Sequence, residues 1–239
     1  MPEPIVLSWS GGKDSVLALD RLRRDERWNV VGLLTMVTAG DGRVSMHGVP
    51  QELIRQQAAG LNLELVLAEV PPWPSNGQYE LAFERGLDRF QSLGVRTIAF
   101  GDLFLADIRR YREDFCARRE LRAVFPLWGS DTAALAGEFV DSGHRAVVCC
   151  ADARQLTADF VGCGYDAAFL RRLPPGIDLC GERGEFHTLV IEGPGWKTNV
   201  EARVGATSRV DHFWYAELEA LTVRSESLSA RSCGESVHV

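Results

Sequence analysis

Ser10-Gly11-Gly12-Lys13-Asp14-Ser15 is the segment of this chain best suited to chemistry on a bound anion. Adjacent glycines let backbone N–H groups turn toward a phosphate. Lys13 brings a full positive charge, and Ser10 and Ser15 bring hydroxyls. Asp14 brings a carboxylate of the kind that holds Mg²⁺ beside phosphate oxygens. The apolar run Ile5-Val6-Leu7 before the loop reads as a buried strand, and Val16 to Leu19 with Leu22 follow at helical spacing. A helix N-terminus behind such a loop adds unpaired donors and the positive end of a dipole. Ser8, Ser10, Gly11, Gly12, Lys13 and Ser15 are therefore the expected phosphate-binding residues. The plainer alternative is a Gly-Gly turn opening a helix with a solvated Lys-Asp pair.

The hexapeptide is not the common P-loop, which needs four residues between its glycine and the Gly-Lys pair and Ser or Thr directly after Lys. Gly11 and Gly12 are adjacent, and Asp14 follows Lys13. The pattern resembles the pyrophosphate-binding loop of the PP-loop ATP pyrophosphatases. That resemblance implies cleavage of ATP between its α and β phosphates, with an oxygen nucleophile attacking the α phosphorus.

Two further segments are dense in polar groups. Gly101 and Asp102 follow an apolar run and open the stretch to Glu113, where Asp107 is placed to cap a helix. Arg109, Arg110 and Arg112 are too closely spaced to share one helix face, so one or two could turn inward and grip a phosphate or carboxylate. Otherwise they are a solvated, ion-paired surface. In Asp178 to Thr188, two glycines frame Glu182 and Arg183, and Glu185 follows ahead of an apolar strand. If the strand starts there, Glu185 and His187 fall on one side of it by its period of two, and could steer an acceptor or move a proton. The alternative is a Gly-rich hairpin with solvated charges. His47 lies in the loop Met46 to Pro50, where it could touch nucleotide or substrate.

These segments need a scaffold that brings them together. Val30 to Leu34, Leu63 to Val70 and Val95 to Phe100 read as strands, with helices over Gln51 to Gly60 and Tyr79 to Leu93. The alternation predicts an α/β fold with a parallel sheet, whose ligands bind at the carboxyl ends of the strands. The loops after Trp9, Met36 and Phe100 then share one rim. Beyond Phe125 the pattern changes to a helix over Asp131 to Ser142, a strand over Arg145 to Cys150, and strands at Leu189 to Ile191 and Trp214-Tyr215. The expected division is 1–124 for nucleotide binding, 125–222 for a smaller mixed α+β acceptor domain, and 223–239 as a disordered Ser-rich tail.

The chain has 239 residues, ample for a large core, and a net charge of −7, which gives no global attraction to nucleic acid. No membrane span or secretory signal is read. Six cysteines include no Cys-x-x-Cys pair, so reduced thiols in a cytoplasmic protein are expected, with Cys149 and Cys150 in the core.

Taken together, Ser10 to Ser15, His47 to Pro50, Gly101 to Glu113, Phe125 to Gly129 and Cys180 to Thr188 resemble the diphthine–ammonia ligase family of PP-loop enzymes. The resemblance implies a nucleotide-binding PP-loop domain of the adenine nucleotide alpha hydrolase-like (HUP-type) fold. It also implies ATP and Mg²⁺, with adenylation of a carboxylate and displacement of AMP by ammonia. Lys13, Asp14, Glu185 and His187 would be catalytic, with Asp14 holding the Mg²⁺; His47, Gly101 and Asp102 would join the residues of the loop in the nucleotide site, and Arg109, Tyr111, Glu182 and Glu185 would meet the acceptor. Family members acting on elongation factor usually read Glu-Gly-Gly-Glu-Phe-Glu where Glu182 to His187 stand here. The Gly-Asp-Leu-Phe and Gly-Glu-Phe-His-Thr versions resemble bacterial relatives of unassigned substrate. Expected partners are ATP, a carboxylate acceptor (small molecule or protein side chain) and ammonia from solvent or another protein. Neither nucleic acid nor membrane is expected, and the chain could pair with copies of itself. The rival readings are a non-catalytic ATP sensor and a tRNA-modifying PP-loop enzyme.

Overall fold

The computed structural model describes residues 1–221. The expected tail, 223–239, and Cys233 lie outside the described residues.

The first half alternates strand and helix. In order come β1 (Glu3–Ser8), α1 (Lys13–Arg24), β2 (Trp28–Thr38), β3 (Arg43–Val44), α2 (Gln51–Leu61) and β4 (Glu64–Val70). Then follow α3 (Asn76–Gln91), β5 (Thr97–Ala99), α4 (Ala106–Ala117) and β6 (Arg122–Val124). β1 runs parallel to β2 on one side and to β5 on the other, with Ile5 opposite both Val30 and Thr97. β6 extends the sheet beside β5, and β2 carries β4 as well as the short antiparallel β3. A largely parallel α/β sheet is thus the observed architecture. Alternate side chains of β1 serve its two faces. Val6 packs with Leu34, Ile98 and the helical Phe83 and Phe115, while Ile5 and Leu7 pack with Leu17, Leu53 and Ile54.

The second half contains α5 (Thr132–Asp141), β7 (Arg145–Asp152), α6 (Ala167–Arg172), β8 (Phe186–Glu192), β9 (Ala202–Val210) and β10 (Phe213–Ala220). Its four strands form a separate antiparallel sheet in the order β8-β7-β10-β9. The larger apolar cluster draws on both halves, joining Leu17 and Leu53 to Cys149, Phe186 and Leu189. β8 consequently lies against the start of α1, and its Val190 N–H donates to the Gly11 carbonyl at 2.9 Å.

Local chemistry sets several helix starts. Ser75 and Gln78 form a capping box that starts α3 three residues before the expected Tyr79. Asp131 caps α5 through the Ala134 N–H. Asp107 does not cap α4, correcting the expectation: the helix starts at Ala106 behind Leu105, and Asp107 sits in its first turn. Cys149 and Cys150 are buried core residues, and the five described cysteines are free. Among the described residues, no helix is long and apolar enough to cross a membrane.

Candidate functional site

The loop between β1 and α1 is shaped by contacts with two other elements, α2 and β8. Gly11 adopts φ of 79°, and a Cβ there would lie 2.5 Å from Ile54 Cδ1, so only glycine fits. Gln57, fully buried on α2, donates to the Gly11 and Val190 carbonyls at 2.9 and 2.7 Å and accepts from Trp9 Nε1 at 2.8 Å. A Cβ on Gly12 would come to 3.0 Å of the Thr188 carbonyl oxygen. Hydroxyls hold the loop's amides in place: Ser10 N–H donates to Ser15 Oγ (3.1 Å), Gly12 N–H to Ser10 Oγ (3.2 Å) and Lys13 N–H to Thr188 Oγ1 (3.1 Å).

Lys13 is 2% exposed, lying over the Tyr165 and Phe186 rings with Nζ 5.6 and 5.4 Å from their centroids. Nζ donates to Asp14 Oδ2 at 2.9 Å and to the Cys180 carbonyl. Burial works against its charge, but Asp14 and Cys180 outweigh it, and Lys13 is held protonated with a raised pKa. The carboxylate half of the pair is less well served. Burial pushes the Asp14 carboxyl up despite the ammonium, and its buried Oδ1 has no hydrogen-bond partner.

This pair lines a cavity of about 320 Å³ into which the predicted rim converges. Ser8, Ser10, Gly12 and Ser15 line it from the loop, His47 from the segment after β3, and Gly101 and Asp102 from the segment after β5. Glu182 and His187 close it from the second half of the chain. Gly101 abuts α1 so closely that its Cβ would sit 3.3 Å from the Asp14 carbonyl oxygen. The His47 and His187 rings lie 4.3 Å apart, and the buried His47 Nδ1 has no partner. Burial lowers both imidazoles, His47 well below its usual value with His187 and Lys13 adding, and His187 to about 4 with Lys13 adding. Both are neutral at pH 7. Glu182 accepts from the Leu103 N–H at 2.7 Å, and burial raises its carboxyl to about 7.

Family comparison covers both halves of the chain. Residues 4–123 match the model of the Diphthamide synthase N-terminal domain, and residues 131–228 match that of the Diphthamide synthase C-terminal domain. The chain belongs to the diphthamide synthase, or diphthine–ammonia ligase, family. A curated relative, the diphthine–ammonia ligase of Danio rerio, is 34% identical over 129 residues, covering 51% of this chain and 49% of its own length. The chain thus spans about half the length of that relative.

Several expected site residues of this family member stand elsewhere. Glu185 is 1% exposed and does not line the cavity. Its carboxylate accepts from the Asp178 and Arg183 N–H groups at 3.1 and 2.9 Å, which makes it a brace of the turn before β8. The period-two expectation failed because Glu185 precedes the strand and its side chain meets donors in its own turn. Arg109 pairs with Glu113 at 2.7 Å and lies over Trp128, outside the cavity. Tyr111 packs near Arg112 and Phe115 but does not reach the cavity either. Gly11 forms the turn rather than the cavity wall.

Sequence reading passed over four residues that the fold brings in. Gln57 positions the loop, Thr188 caps a loop amide, and Tyr79 and Arg112 line the cavity. Only Arg112 carried a signal, as one of three arginines among which spacing could not choose.

Proposed function

We propose that this protein is an ATP-dependent ligase that activates a carboxylate as its adenylate, releasing pyrophosphate, and then joins it to ammonia with loss of AMP. The observation that carries the reading is the Lys13–Asp14 pair. A buried, protonated lysine and an incompletely compensated carboxylate open together on one cavity at the N-terminus of α1. On this reading ATP lies with its departing phosphates at the Gly12–Ser15 turn, where Lys13 and the helix dipole offset their charge. Ser10 and Ser15 already hold loop amides, so their hydroxyls keep the turn preorganised. The free Asp14 Oδ1 suits Mg²⁺, a hard cation that takes one or two carboxylates beside phosphate oxygens. Bound there, the ion would neutralise phosphate charge.

The same reading assigns residues 1–124 to the nucleotide and 125–222 to the acceptor, with His187 and His47 facing it as neutral hydrogen-bonding groups. Ammonia arrives from solvent or another protein. The name of the Danio rerio relative, diphthine–ammonia ligase, supports ligase chemistry and suggests a diphthine-like acceptor.

Exchange of radiolabelled pyrophosphate into ATP tests this, run with Mg²⁺ against diphthine-bearing elongation factor and a panel of carboxylates. Acceptor-dependent exchange is expected. A second reading, a nucleotide-binding protein without chemistry, is favoured by the commitment of both Glu182 and Glu185 to backbone amides. Tight ATP binding with no exchange for any acceptor would favour it.

A further inference from the structure

Lys13 and Arg112 are the Lys and Arg side chains lining the cavity among the described residues, and their situations differ. Lys13 is bonded to Asp14 and to a carbonyl. Arg112, on α4, lies 4.7 Å over the Phe100 ring and donates to Tyr79 Oη only at the long distance of 3.5 Å. Its nearest carboxylate oxygen is Asp102 Oδ2, 3.6 Å from Nε. Both of those atoms are buried, and neither has a hydrogen-bond partner. Arg109, three residues earlier on the same helix, meets Glu113 at 2.7 Å. Buried charges in folded proteins are normally paired and hydrogen-bonded. Arg112 and Asp102 pair with each other only at 3.6 Å, too far for a hydrogen bond, so each keeps an unpartnered polar atom beside one cavity.

The proposed reaction has a use for this arrangement. A carboxylate nucleophile must approach a polyphosphate of the same sign, and Lys13 is already engaged beside the loop. It needs a cation of its own, and a guanidinium grips a carboxylate through two parallel N–H groups. Asp102 beside it would repel a bare anion unless the ligand also carried a donor.

We infer that Arg112 holds the acceptor's carboxylate while Asp102 accepts from a donor next to it, so that the acceptor is a small amino or hydroxy carboxylic acid. This moves Asp102 from the nucleotide to the acceptor. The inference rests on the ligase reading for the reaction but not for the binding.

Calorimetric titration of the full-length protein tests it, using the common L-amino acids, lactate, malate, and their analogues lacking the amino or hydroxyl group, with ATP and Mg²⁺ titrated separately. At least one amino or hydroxy acid is expected to bind more tightly than its stripped analogue. Arg112→Gln should weaken that acid roughly 10–100-fold, as for a charge-assisted hydrogen bond, and leave ATP affinity unchanged. Asp102→Asn should erase the preference over the analogue. If Arg112→Gln does not fold, Arg112→Lys carries the test, keeping the charge but not the fork and weakening the acid by less. Equal weakening of ATP and acid would overturn the inference, because the guanidinium would then serve the nucleotide. So would a wild-type protein that binds no acid of the panel. Acid binding without ATP binding would defeat the ligase reading and leave the subsite standing. Exchange promoted by an acceptor regardless of Arg112 would do the reverse.

Discussion

The loop Ser10 to Ser15 and the segment Cys180 to Thr188 look alike on paper: each is short, glycine-bearing and crowded with charge. They behave differently once folded. The loop turns Lys13 and the free Asp14 Oδ1 into the cavity and uses uncharged hydroxyls to hold its amides. The later segment uses its carboxylates for that task, Glu185 on the Asp178 and Arg183 N–H groups and Glu182 on that of Leu103. A dense polar cluster is therefore not by itself a catalytic one. What separates the two is whether nearby backbone donors take up the charges.

The strongest way to break this comparison is to remove the loop's cation. Lys13→Ala should lower acceptor-dependent pyrophosphate exchange by about 10²–10³, as loss of a preorganised electrostatic group does. Exchange at the wild-type rate in a folded variant would place the chemistry elsewhere.

The glycines offer a second contrast. Gly11 and Gly184 have similar positive φ, 79° and 85°, but a Cβ on Gly11 meets Ile54 and Gln57 whereas one on Gly184 meets nothing within 4 Å. Gly11→Ala should cost about 1–3 kcal/mol through overpacking, in addition to backbone strain. Gly184→Ala should cost only the strain, about 1–2 kcal/mol. Denaturant midpoints measure both, and equal losses would show that Ile54 and Gln57 do not confine the loop.

Glu185→Gln should destabilise by about 1–3 kcal/mol, since a buried backbone donor loses its acceptor, while exchange per folded molecule stays near wild type. A variant of full stability with slowed exchange would return Glu185 to the acceptor site.

The smallest expected effect is a pH dependence. Burial raises the Glu182 carboxyl to about 7, above the ordinary glutamate value of 4.5. The folded state therefore binds this proton more tightly than the unfolded state does. The stabilisation from that proton is complete below about pH 4.5 and is lost as pH rises through about 7. Thermal melts across that window should show the decline in wild type and a shallower one in Glu182→Gln. Identical slopes would mean Glu182 is ionised throughout.

Much of the scaffold was legible because its signals are local. The alternation of apolar runs and helical spacing foretold the parallel sheet, and the strand before Gly11-Gly12 foretold the loop's place on its rim. Helix starts at Ser75 and Asp131 follow side-chain capping a few residues long. The site was legible only in part. Lys13, Asp14, His47, Gly101, Asp102, Glu182 and His187 do line one cavity, whereas Glu185, Arg109 and Tyr111 do not.

By itself, the sequence determined which chemical groups are present, the Gly11-Gly12 turn between strand and helix, and the family to which the chain belongs, because these depend on residue types at short spacing. Only the tertiary structure decided which charges stay available. Glu185 is matched by amides within its own turn, and Arg109 by Glu113 one helical turn away. Arg112 is only loosely paired, because its neighbours there, Phe100, Tyr79 and Asp102, come from elsewhere in the chain and leave its Nε without a hydrogen bond. Whether a buried charge is satisfied depends on distances and directions between segments far apart in sequence, and those are set when strands and helices pack around the two apolar clusters.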